Sequence, residues 1–112
     1  MPSRIEQFRK IVELDPNSEI AQYGLGKALF DEKQYEEAVV CFRKVVQIKQ
    51  DYTAAYLLLG KALEKLNRKE EAIEVYRQGI AVGEKTGDLE PKHEMETRLM
   101  KLEWKGPVTP SH

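Results

Sequence analysis

Leu25-Gly26-Lys27-Ala28-Leu29 recurs as Leu59-Gly60-Lys61-Ala62-Leu63, and the offset of 34 residues holds on either side of it. Ala21, Glu36-Glu37-Ala38 and Arg43 return as Ala55, Glu70-Glu71-Ala72 and Arg77. A period of this length marks stacked supersecondary units, and one near 34 points to paired helices.

Apolar residues recur at three- and four-residue steps through most of the chain, the mark of amphipathic helices. The first helix spans 4–14, with Ile5, Phe8, Ile11 and Val12 on one stripe. It stops at Asp15-Pro16-Asn17-Ser18, where proline disfavours helix in the residue before it and the polar residues can cap the next start. Helices follow at about 19–33, 35–49 and 53–66, and a fifth starts near 69. The linkers Glu32-Lys33-Gln34 and Asn67-Arg68 are short enough to force antiparallel neighbours. No segment alternates like a strand, so the chain reads as all-α.

Shifted by the same offset, Ile5, Phe8-Arg9-Lys10, Ile11-Val12 and Leu14 fall on Val39, Phe42-Arg43-Lys44, Val45-Val46 and Ile48. The first helix is therefore the second half of a repeat whose first half is missing. Gly87-Asp88 breaks the fifth helix, and Asp88 is placed to cap a last helix over 89–104, with Pro91 tolerated in its first turn. That helix suits a terminal cap, apolar on one stripe and charged on the other. The expected layout is a single domain over 4–104: half-repeat 4–16, repeats 19–52 and 53–86, and cap 88–104. Residues 105–112, Lys105 to His112, form a tail without helix signal, expected to be disordered.

The repeated set Leu25-Gly26, Leu29, Ala38 and Phe42, then Tyr56, Leu59-Gly60, Leu63, Ala72 and Tyr76, resembles the tetratricopeptide repeat family. The Asp15-Pro16 turn fits the family's boundary between repeats. The layout also resembles small free-standing bacterial tetratricopeptide proteins with no assigned activity. The resemblance implies an α-solenoid in which Gly26 and Gly60, with Ala38 and Ala72 facing them, let paired helices approach closely. Three departures stand out. Lys49-Gln50-Asp51 lacks a proline, Gln22 replaces a large aromatic and thins the first inter-repeat contact, and the fifth helix runs on through 81–85.

In this family the first helix of each pair lines a concave groove that holds a peptide or partner helix. Carried onto this chain, the groove positions are Ile20, Tyr23, Lys27, Phe30 and Asp31, then Ala54, Leu57, Lys61, Glu64 and Lys65. The resemblance implies an apolar floor of Tyr23, Phe30 and Leu57, edged by Lys27, Lys61 and Lys65, suited to an amphipathic or acidic segment. Family members that grip chaperone tails use a two-carboxylate clamp of lysines, asparagines and an arginine. The matching slots here hold Tyr23, Lys27 and Leu58 in place of Lys, Asn and Asn, and the third repeat is absent, which disfavours that specificity.

The chain is 41% hydrophobic and 33% charged with a net charge of −1, a globular profile without the basic field that nucleic-acid binding needs. No apolar run spans a bilayer, and the N-terminus lacks a signal-peptide core. A single cysteine, Cys41, makes no internal disulfide, so a cytoplasmic location is the default. Cys41 follows the pattern of a small core hydrophobe, although Arg43 and Lys44 stand near it in sequence. His93 and His112 have no ligand partners at metal spacing, and no catalytic constellation or phosphate-cradling loop is present. No cofactor, metal or enzyme activity is expected.

The expected function is a protein–protein adaptor, a binding module without catalysis. The alternative is a homodimer or accessory subunit of an enzyme complex. Its main contact would run through Ile5, Phe8 and Val12 on the open first helix, or through Met100 and Trp104 at the cap. Trp104 has two readings: it closes the core over the fifth helix, or it lies exposed beside Met100 as a self-association patch.

Overall fold

Serines start the first two helices. In the computed structural model, which describes residues 3–106, Ser3 and Ser18 accept from the amides of Glu6 and Ala21, satisfying donors that a helix start leaves open. They open α1 (Arg4–Leu14) and α2 (Glu19–Asp31). The chain continues through α3 (Tyr35–Ile48), α4 (Thr53–Lys65), α5 (Lys69–Thr86) and α6 (Leu89–Glu103), and no strand occurs among the described residues.

Both turns inside the pairs have one design. Lys33 and Asn67 hold positive φ of 62° and 58°, and the amides of Gln34 and Arg68 reach back to the carbonyls of Leu29 and Leu63. These closures end α2 and α4 and return the chain antiparallel as α3 and α5. The pairs stack so that α2, α4 and α6 share one face, with α1, α3 and α5 behind them, in a body of 64 × 30 × 18 Å.

Close approach within each pair rests on a glycine beneath a ring. A Cβ on Gly26 would meet Cε1 of Phe42 at 2.7 Å, and one on Gly60 would meet Cε1 of Tyr76 at 2.1 Å. Phe42 and Tyr76 are fully buried, with Leu29, Leu59, Leu63 and Met95 around them. Phe8, one period earlier, lies against Gly24 of α2. Ion pairs tie the rear helices in register, Arg9 to Glu37 at 2.7 Å and Arg43 to Glu71 at 3.7 Å, and one period on Arg77 pairs with Glu103 at the end of α6.

Three local expectations need correction. Asp88 holds the N-cap position of α6, but its side chain makes no cap hydrogen bond: its Oδ2 accepts from the hydroxyls of buried Thr53 at 2.8 Å and of Thr86 at 3.1 Å. It therefore latches the α5–α6 turn to the start of α4. Gln22 does not thin its contact, because it is buried and its Nε2 donates to the Pro16 carbonyl at 3.0 Å. Trp104 does not close the core: it is 67% exposed, beside Met100 at 66%. The tail begins without helix at Lys105 and Gly106, and residues 107–112, on which most of the expected disorder falls, lie outside the described residues.

Candidate functional site

Side chains that leave the α2–α4–α6 face point away from the core, and their order is fixed by helical spacing. Along α2 these are Ile20, Tyr23, Lys27 and Phe30. Ile20 is 73% exposed, an apolar side chain of this size left open on the face.

Tyr23 is half-buried and anchored from two sides. Its ring stacks on Tyr52 with centroids 4.9 Å apart and meets Phe42 edge-on at 6.0 Å. Lys27 places its Nζ 5.9 Å from the Tyr23 ring, and Lys49 places its Nζ 5.5 Å from the Tyr52 ring. The result is a preorganised aromatic platform with a cation at each edge. Burial raises both phenols above the ordinary tyrosine value, with Tyr52 adding to the effect at Tyr23 and Glu19 at Tyr52. Both are neutral donors at pH 7.

Phe30 and Lys61 join the repeats at the other end. Phe30 packs edge-on to Tyr35 at 5.2 Å, and Lys61 of α4 sets its Nζ 6.0 Å from the Phe30 ring and 3.7 Å from Glu94. Leu57 is partly buried against the core, and Lys65 is exposed. Glu64 is committed inside the molecule: its Oε2 accepts from the Tyr76 hydroxyl and from Arg98 Nη1 at 3.2 Å. Burial and the bond to Glu64 hold the Tyr76 phenol far above its ordinary range. Arg98 also donates to Glu94 at 3.0 Å, so α6 is fastened onto α4 by a chain of charge-assisted bonds.

The face thus has two open hollows. One of about 540 Å³ at the helix starts is lined by Glu19, Ile20, Tyr52 and Ala54 among others. A smaller one of about 250 Å³ lies among Glu64, Glu94, Thr97, Arg98 and Lys101. The structure brings Tyr23, Lys27, Phe30, Leu57, Lys61 and Lys65 onto this one face, with Glu64 engaged below it. Sequence reading missed Tyr52, which sits in the α3–α4 loop outside the repeated positions, and Arg98 and Lys101, which belong to the non-repeating cap.

At the ends of the solenoid the placements differ. Ile5, Phe8 and Val12 turn toward α2 and are partly covered, although α1 has no fully buried residue. Its outward apolar side chains are Ile11 and Leu14, 47% and 87% exposed. Cys41 is buried, and burial pushes its thiol up to about 11, with Glu37 adding and Arg9 opposing. It is no nucleophile at neutral pH. Among the described residues no group of His, Cys, Asp and Glu could hold a metal, and no helix is long and apolar enough to cross a membrane.

Two family models match the sequence, TPR repeat over residues 26–67 and Tetratricopeptide repeat over residues 53–82, together just over half of the chain. The chain belongs to the tetratricopeptide repeat family. Among solved structures, this repeat protein is similar to a tetratricopeptide repeat domain protein from Salinibacter ruber. The identity there is 28% and the TM-score 0.73, covering 88% of this chain and 99% of that one. The first TPR of Spaghetti (RPAP3), bound to the HSP90 peptide SRMEEVD, shares 25% identity at a TM-score of 0.74 over 88% of this chain and 73% of that one. The TPR2B domain of yeast Sti1, in complex with pHsp70, shares the fold at 13% identity and a TM-score of 0.80, over 88% of this chain and 78% of that one. No curated protein is found to match the sequence.

Proposed function

We propose that this repeat protein is a cytoplasmic adaptor without catalysis, and that its α2–α4–α6 groove holds a segment of a partner protein. The observation that carries the reading is the Tyr23–Tyr52 platform, flanked by Lys27 and Lys49 and continued by exposed Ile20. Aromatic rings fixed by stacking give contact area at little entropic cost, and Lys27 beside the Tyr23 ring favours a carboxylate. Peptide-bound relatives of the same fold support a groove of this kind.

The partner differs from a chaperone tail held by a two-carboxylate clamp, because Tyr23 and Leu58 occupy slots that such a clamp fills with polar groups. A segment with an aliphatic or aromatic residue beside acidic ones fits these side chains. Selection from a displayed random-peptide library tests this. Enriched peptides should carry that pattern and lose binding to the Tyr23→Ala, Lys27→Glu variant. Enrichment insensitive to both substitutions rules out the groove.

The exposure of Met100 and Trp104 favours one second reading, self-association at the cap. Sedimentation across a dilution series should then show a dimer that Trp104→Ala abolishes.

A further inference from the structure

The two ends of the groove differ in charge. At the helix starts the hollow is lined by Glu19, Asp51 and Asp88, against the single cation Lys49. Among the described residues Glu19 and Asp51 have no ion-pair partner. At the far end Glu64 and Glu94 are consumed by Arg98 and Lys61. Lys27, Lys65 and Lys101 are exposed there and none of them is ion-paired among the described residues. Glu19 and Lys27 stand eight residues apart on α2, about 12 Å at the helical rise, and the 13 residues of α4, from the side of Asp51 to Lys65, span about 18 Å. Both exceed the roughly 8 Å screening length at physiological salt, so a ligand meets the two ends as separate fields.

We infer that the groove selects a segment by its charge polarity, with basic side chains seated at Glu19 and Asp51 and acidic ones at Lys27, Lys65 and Lys101. An extended chain covers the interval in about six residues, with its apolar middle over Tyr23 and Leu57. The inference rests on the reading of this face as the binding face, and adds which ligand chemistry it takes and which way round. Alternating charges of the same composition place one lysine near Lys65 for each one near Glu19, and gain nothing from the separation.

Two synthetic peptides of roughly ten residues test it, long enough to run from one hollow to the other. They share one composition: one carries its lysines at one end and its glutamates at the other, and the second alternates them. Titrated into the full chain at physiological salt, the blocked peptide should bind about tenfold more tightly. A nitroxide on its acidic end should broaden the amide signals of Lys61 and Lys65 more strongly than those of Ile20 and Ala54. Equal affinities, or equal broadening at both ends, overturn the polarity and leave the groove standing. Signal changes confined to residues off this face overturn both.

Discussion

Gln22 donates its Nε2 hydrogen to the carbonyl of Pro16 at 3.0 Å, six residues back across the turn. One repeat later the hydroxyl of Tyr56 donates to the carbonyl of Gln50 at 2.9 Å, over the same six-residue span. Two different side chains thus perform one task, pinning the turn before each pair to the helix that follows. The bond explains why an amide is tolerated in a buried aromatic slot.

Removing the pin should cost about 1 kcal/mol, the net worth of one such bond. Gln22→Ala is expected to lower the urea midpoint accordingly, and Gln22→Tyr to recover most of the loss by supplying the Tyr56 hydroxyl arrangement. A Tyr variant less stable than the Ala variant contradicts the equivalence of the two turns.

The glycines under rings should separate by how free the ring is to move. At Gly60 the facing Tyr76 is fully buried, so Gly60→Ala overpacks the centre and should lose about 1–3 kcal/mol. Phe8, facing Gly24, lies on a helix without buried residues and can swing outward. Gly24→Ala should therefore stay within about 1 kcal/mol of the parent, since alanine also favours helix there. Thermal unfolding of the two variants side by side decides this.

Leu59→Ala should cripple the fold, because truncating a buried leucine costs about 2–5 kcal/mol and Leu59 is 2% exposed. Lys27→Glu should leave stability within about 0.5 kcal/mol, since Lys27 is exposed. Lys61→Glu is a less clean probe, as it sets a second carboxylate against Glu94, 3.7 Å from the present ammonium. Chemical denaturation of the three variants should rank Leu59→Ala far below the other two.

Alkaline pH gives an independent check on the core. The Cys41 thiol is raised from 9.0 to about 11 by burial, so the folded chain keeps its proton where the unfolded chain has lost it. The contribution is fully present below pH 9 and declines as pH rises toward 11, by an amount on the order of 2 kcal/mol. Between pH 9 and 10 the tyrosines, raised by burial, lower the stability of both chains alike, so Cys41→Ala should show a flatter fall in unfolding free energy than the parent. Parallel slopes would mean that the thiol titrates alike in the native and unfolded chains.

Much of the fold was legible because the repeat writes it twice. Leu25 with Leu59, Phe42 with Tyr76, and Gly26 with Gly60 announce which helices pair and which side chains face inward. The sharing of one face by Tyr23, Lys27, Leu57 and Lys61 was legible for the same reason, since it follows from the register of α2 and α4. What escaped lies outside the period. Tyr52 stacks on Tyr23 from a loop whose counterpart, Ser18, is a helix cap, so no comparison of repeats could pair the rings. Asp88 had the right residue type for a cap, but the hydroxyls of Thr53 and Thr86 compete for its carboxylate. Arg98 reaches Glu64 from the non-repeating α6, a contact between elements that have no second copy to betray it.

The groove itself is tested most directly by affinity capture from the source cell's lysate with the full chain as bait, beside the Tyr23→Ala, Lys27→Glu variant matched in circular dichroism. A partner retained by the parent and lost by the variant is the predicted result. A partner held equally by both, or recovery of the chain alone, contradicts a binding site built on Tyr23 and Lys27.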